Sequence, residues 1–137
     1  CIYDPFAGEL PEDCRRAASL RELFADSEAV AIFAALTDQT RGTVDKDLLA
    51  LLPEQAIVVN TARGDIICQD DLLAEVACGR LRAGLDVLAG EDWLPSGHEA
   101  LTYRNLILTS HRAGNSYWQT PIRSAGNHDF RKQACTG

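Results

Sequence analysis

Three short stretches of this chain carry residue types that can work together chemically: Asn60-Thr61-Ala62-Arg63-Gly64, Asp86-Val87 and His111-Arg112-Ala113-Gly114. An arginine guanidinium can grip a carboxylate through two parallel hydrogen bonds. A histidine can give or take a proton near neutral pH, and His111 is one of only three in the chain. Glu91 stands in the loop after Asp86 and can pair with His111 to favour the imidazolium form. Taken singly, each has an ordinary reading. Arg63 could cap strand-end carbonyls, His111 could be a packed or solvated ring, and Glu91 a loop charge. Their positions argue otherwise.

Each stretch follows a short apolar run of strand length. Ala56-Ile57-Val58-Val59 precedes the first, Leu81-Arg82-Ala83-Gly84-Leu85 the second and Leu106-Ile107-Leu108-Thr109 the third. In an open α/β sheet, ligands bind in the crevice outside the carboxyl ends of the strands. Arg, Asp and His at three successive strand ends are therefore expected to converge on one pocket.

The elements that must hold them can be traced along the chain. A strand is expected at Cys1-Ile2-Tyr3-Asp4, followed by a turn with Pro5 and Gly8. Ser19 and Glu22 form a capping-box pattern for a short helix. Ala29 to Phe33 read as a strand. Asp45 caps a helix whose inner residues are Leu48, Leu49, Leu51 and Leu52 and which Pro53 ends. A further helix is expected over 69–78, with Asp70 and Asp71 in its first turn, Leu72, Leu73 and Val76 on its apolar face, and Gly79 after its end. Strands over 56–60, 81–87 and 106–109 bring the total to five, and a helix from about Ser116 to Ala134 would be interrupted at Pro121 and Gly126. Strands alternating with helices predict a parallel sheet covered on both faces, a doubly wound α/β fold of Rossmann type. Such a sheet normally has six strands. The chain contains no methionine and opens inside a strand-like run. It is accordingly read as a partial domain, 1–137, whose first strand and glycine-rich loop lie upstream.

Bulk properties narrow the function. The chain has 137 residues and a formal net charge of −7, which disfavours nucleic acid or an anionic membrane surface as a partner. No apolar run approaches the roughly 18 residues of a membrane span. The cysteines Cys1, Cys14, Cys68, Cys78 and Cys135 form no C-x-x-C pair, so no metal site is expected and reduced, cytoplasmic thiols are the simplest reading. Arg15 and Arg16 read as surface charge. Asp4 has two readings. It is either a turn residue before Pro5 or the acidic strand-end residue that accepts hydrogen bonds from the adenosine ribose and repels a 2′-phosphate. The second fits its place in a Rossmann pattern and favours NAD over NADP.

Together these stretches resemble the D-isomer-specific 2-hydroxyacid dehydrogenase family. The resemblance rests on Tyr3-Asp4-Pro5-Phe6, Leu36 through Gly42, Val59 through Gly64, Gly79-Arg80-Leu81, Leu85-Asp86-Val87 with Glu91, and Asn105 through His111 with Ala113-Gly114. It implies the cofactor domain of an oxidoreductase that interconverts a small D-2-hydroxy acid and its 2-keto acid with NAD. By resemblance, Arg63 binds the carboxylate and keto oxygens, His111 carries the proton and Glu91 holds the histidine. Asp4 holds the ribose, Asp86 contacts the nicotinamide side, and Ala34, Thr61, Ala62, Ala113 and Gly114 line the cofactor cleft. A homodimer is implied for the full-length protein, and the isolated chain is expected to be inactive.

The chain departs from the family pattern at Asp92, where proline usually follows the glutamate, at Phe33-Ala34-Ala35, which replaces His-x-Pro, and at Ser110, where proline usually precedes the histidine. Glu91 speaks against the formate dehydrogenase branch, which carries glutamine there. Two other functions fit the same fold: a non-catalytic NAD(H)-sensing corepressor, or an inactive remnant.

Overall fold

The computed structural model describes residues 1–90 and 94–112. Among these residues four strands form a single all-parallel sheet in chain order: β1 (Ala29–Ile32), β2 (Ile57–Asn60), β3 (Arg82–Leu85) and β4 (Leu106–Leu108). Helix α1 (Leu20–Ala25) precedes β1, α2 (Lys46–Leu49) joins β1 to β2, and α3 (Gln69–Ala77) joins β2 to β3. The Rossmann-type sheet expected from the sequence is present.

Burial alternates along the strands. Val30, Ile32, Val58, Ala83 and Leu85 face a core shared with Phe24 of α1, Leu48 and Leu49 of α2, and Leu72 and Val76 of α3. The three helices thus form one layer on one face. The opposite face carries Ala29, Ala31, Ile57 and Ile107, all exposed among the described residues. Among the described residues, cover comes from the helices on one face. α1, α2 and α3 all contribute to the same core cluster, so only alternate strand residues are buried there.

The opening strand differs from expectation. Ile2 makes an isolated parallel bridge to Arg16, through Ile2 N–H to the Arg15 carbonyl and Ala17 N–H to the Ile2 carbonyl, both 2.8 Å. It is not part of the sheet. α2 is a single turn. Asp45 caps it by accepting from Leu48 N–H at 3.0 Å, but beyond Leu49 the bonds tighten to Leu51 N–H→Leu48 O and Leu52 N–H→Leu49 O. Pro53 lies just ahead and disfavours helical backbone in the residue before it. α1 has its capping box, with Ser19 Oγ accepting from Glu22 N–H at 3.1 Å. The Glu22 carboxylate reaches back one residue further than usual, to Ala18 N–H at 2.7 Å. That bond first, and Arg15 second, hold the Glu22 carboxyl below its ordinary range. α3 forms over Gln69–Ala77 with Gly79 at φ +81 after it, the left-handed stop the sequence predicts.

Candidate active site

The sheet register aligns the candidate residues. Ile32, Asn60, Leu85 and Leu108 pair across the sheet in one row. Ala34 follows that row on β1, Thr61, Ala62 and Arg63 follow it on β2, Asp86 on β3 and His111 on β4. The structure brings these residues to one edge, as the strand-end argument requires. Glu91, Ala113 and Gly114 lie outside the described residues, as do Trp93 and the expected C-terminal helix.

The turn carrying Arg63 is knotted by Asn60. This buried amide donates through Nδ2 to the Arg63 carbonyl at 2.9 Å and accepts through Oδ1 from Ala62 N–H at 3.0 Å. A short polar side chain at a strand end can bond its own following backbone in this way. Arg63 itself has extended backbone and starts a 3-10 turn over Gly64–Ile66. Its side chain is exposed, and its one hydrogen bond among the described residues runs from one terminal nitrogen to the Ala62 carbonyl at 2.6 Å. The other guanidinium donors make no bond to a described residue.

Gly64 is pressed against the loop that follows Asp86. A Cβ built on it would stand 2.0 Å from the Leu88 carbonyl carbon and 2.4 Å from the Ala89 nitrogen. The same loop is held by α3, because Ala89 N–H donates to Gln69 Oε1 at 2.8 Å. The backbone leading to Glu91 is therefore fastened directly to the Arg63 turn. Neither Gly64 nor Gln69 stands out in the sequence as a contact, since their partners lie about 20 residues away.

Asp86 is buried and tied on every side. Its N–H donates to the Asn60 carbonyl and its own carbonyl accepts from His111 N–H, both at 2.9 Å. Its carboxylate accepts from the Thr109 hydroxyl and, at 2.8 Å, from Arg112 N–H. His111 takes up a left-handed backbone with φ +50, a strained conformation for a non-glycine residue. The histidine is thus exposed yet anchored.

Asp4 lies on the opening segment, outside the four-stranded sheet. Its Oδ1 accepts from Phe6 N–H at 2.8 Å and Ala7 N–H at 3.1 Å, so the carboxylate caps its own turn. Arg15 is a surface charge, paired with Glu22 and Asp26. Arg16 is not simply one. Its guanidinium donates to the carbonyls of Asp4 at 2.7 Å, Ala7 at 3.0 Å and Gly8 at 2.5 Å, clamping the turn after Asp4. Among the described residues no cluster of three or more potential metal ligands exists, and no helix is long and apolar enough to cross a membrane.

Residues 1–113 match the family described as D-isomer specific 2-hydroxyacid dehydrogenase, NAD binding domain. This chain belongs to that family. It is similar to human glyoxylate reductase/hydroxypyruvate reductase, 38% identical over 94 residues that make up 68% of this chain and 28% of that protein. Formate dehydrogenase of Chaetomium thermophilum is 34% identical over 137 residues, 98% of this chain and 35% of that enzyme. Among solved structures, the apo form of Rhodotorula graminis D-mandelate dehydrogenase superposes with a TM-score of 0.75 at 32% identity, covering 83% of this chain and 34% of that one. The NAD complex of a formate dehydrogenase from Staphylococcus aureus gives 0.72 at 32% identity, covering 82% and 34%. The chain therefore spans about a third of the length of such relatives. Its fold is the family's NAD-binding domain.

Proposed function

We propose that the protein is an NAD-dependent dehydrogenase interconverting a small D-2-hydroxy acid and its 2-keto acid, with this chain supplying its cofactor domain. The observation that carries the reading is the common strand-end row, beyond which the exposed Arg63 guanidinium makes one hydrogen bond among the described residues and His111 is anchored through Asp86. The residues present suit a dinucleotide. Ala34, Thr61 and Ala62 are small side chains just past the row, suited to a flat ring, and Asp86 supplies a buried polar group beside them. Asp4, with its turn braced by Arg16, is the ribose contact and favours NAD over NADP.

NAD supplies the hydride when bound. Arg63 binds the acid's carboxylate and orients its keto group. His111 delivers the proton to the keto oxygen, or takes it from the hydroxyl in the reverse direction, and a positioned general acid of this kind typically contributes about 10²–10⁴-fold. Glu91 holds the histidine, while Ala113 and Gly114 complete the cofactor cleft. Glyoxylate, pyruvate and hydroxypyruvate are the first substrates to test. The relatives include both a glyoxylate reductase and a formate dehydrogenase, and Glu91 favours the keto-acid chemistry. A cytoplasmic homodimer is the assembly we propose for the full-length protein.

NADH oxidation by the full-length protein with a panel of 2-keto acids tests this. Arg63→Ala is expected to lower kcat/KM at least about 10²-fold, as loss of a charge-assisted bidentate contact would, with unchanged thermal stability. NADH binding without turnover of any acid would instead support a sensor or corepressor.

A further inference from the structure

We propose that Thr109 is a positioning residue for proton delivery by His111, acting through the buried carboxylate of Asp86. The inference rests on the dehydrogenase reading above and goes beyond it, because Thr109 need not touch substrate or cofactor.

The geometry is a bracket. Thr109 N–H donates to the Leu85 carbonyl at 2.9 Å, extending the sheet ladder one residue past β4. The start of the turn is therefore fixed by rigid backbone. From there the Thr109 hydroxyl donates to Asp86 Oδ1, and the Arg112 N–H donates to the same oxygen at 2.8 Å. His111 lies between these two donors, and its own N–H is donated to the Asp86 carbonyl at 2.9 Å. One acidic residue thus gathers the chain on both sides of the histidine. That matters because φ +50 at His111 is disfavoured for a side chain with a Cβ and persists only when its surroundings impose it.

A hydrogen bond to a charged acceptor is stronger than a neutral one, and a buried carboxylate that loses a donor must find another or shift. Removing the hydroxyl loosens Asp86 and relaxes the strained turn. The imidazole then samples orientations away from the keto oxygen. Reaction rate is sensitive to such displacement, so the effect is on the chemical step and not on substrate capture by Arg63.

The test uses the full-length protein as wild type, Thr109→Val and Thr109→Ser. Valine keeps the shape and removes the hydroxyl, and serine restores it. Thr109→Val is expected to slow single-turnover NADH oxidation with a saturating 2-keto acid about tenfold, the weight of one charge-assisted hydrogen bond, with KM nearly unchanged. Thr109→Ser is expected to recover most of the rate. Amide hydrogen exchange without substrate gives an independent reading. In Thr109→Val the His111 and Arg112 amides should exchange about tenfold faster, as local opening would make them, while those of Val59 and Gly84 in the sheet stay unchanged.

Equal rates and equal exchange in wild type and Thr109→Val would overturn the inference and leave the dehydrogenase reading standing. Equal losses in the valine and serine variants would overturn it as well, because the hydroxyl would not be the agent. A wild-type protein that turns over no 2-keto acid would overturn the dehydrogenase reading, and Thr109's part in proton delivery with it.

Discussion

Arg63 and Arg80 stand at opposite ends of the same parallel sheet, and their surroundings differ in kind. Arg80 precedes β3 at the amino edge. It donates from Nε to Glu75 at 2.5 Å and from its two terminal nitrogens to the carbonyls of Leu52 at 2.8 Å and Leu49 at 2.9 Å. Asn105 closes the same edge by donating to the carbonyls of Val76 and Leu81 at 2.7 and 2.8 Å. Every one of these bonds joins α2, α3 or a strand start to another element, so the guanidinium is committed to the fold. Among the described residues, the Arg63 guanidinium, beyond the carboxyl edge, makes one hydrogen bond, to its neighbour's carbonyl. There the backbone is held by other groups, namely Asn60, Gly64 and Asp86, and the charged side chain is exposed. A structural arginine and a candidate binding arginine are told apart by their committed donors.

The sharpest way to break this contrast is Gly64→Ala. If the carboxyl edge is a rigid clasp, a Cβ at 2.0 Å from the Leu88 carbonyl carbon cannot be absorbed by a side-chain rotation, because backbone must move. Overpacking against backbone is expected to cost about 3 kcal/mol, measurable as a fall in the urea midpoint. It should also depress turnover by parting the Arg63 turn from the loop leading to Glu91. A variant with unchanged stability and activity would mean that the two loops are not in fact fastened together.

Arg80→Met tests the opposite edge. Removing the guanidinium strands two carbonyls and the half-buried Glu75 carboxylate. The loss is expected to be about 2 kcal/mol of stability, with turnover of the folded protein within about twofold of wild type. Arg80→Lys should recover less than half of it, since an ammonium cannot reproduce the fork that spans Glu75, Leu49 and Leu52. Thermal melts and NADH oxidation on the same samples would separate the two effects. A turnover loss larger than the stability loss would erase the distinction between the edges.

Much of the frame was legible in the sequence, and the limits have physical causes. α3 was readable because its acidic first turn, apolar face and terminal glycine all agree. The strand-end placement of Arg63, Asp86 and His111 followed from apolar run lengths alone, and the sheet register bears it out. The opening run looked like a strand but makes a single bridge, because local β pattern cannot say whether a partner is present. α2 was expected to continue to Pro53 and stops at Leu49, where the backbone tightens ahead of the proline. Asn60, Thr109 and Arg16 were invisible as organisers for a common reason. Their roles are hydrogen bonds to backbone or carboxylate partners, and residue type allows such bonds without saying which partner the fold will supply. Arg16 in particular looks like any surface charge until the turn of residues 4–8 is folded against it.

The two cysteines flanking α3 give the gentlest test, since they sample the two edges chemically. Cys68 is next to the Arg63 side and Cys78 next to Arg80. A thiol at a helix start is ordinarily favoured as thiolate by the helix dipole. At Cys68 the opposite wins: burial first, then the Asp71 and Asp45 carboxylates, push its thiol up from the usual range. Its hydrogen is directed at the Gly42 carbonyl at 3.5 Å. Cys78 is exposed, at the far end of the helix. Because the thiolate is the reactive form, a raised value means less reaction at any given pH, with the difference closing only as the pH climbs well above neutral. Labelling at pH 7.5 with peptide mapping should therefore find Cys78 modified about tenfold faster than Cys68. Comparable rates would mean that the segment from Gly42 to α3 opens often enough to expose Cys68, and that the carboxyl edge is less firmly held than its hydrogen bonds imply.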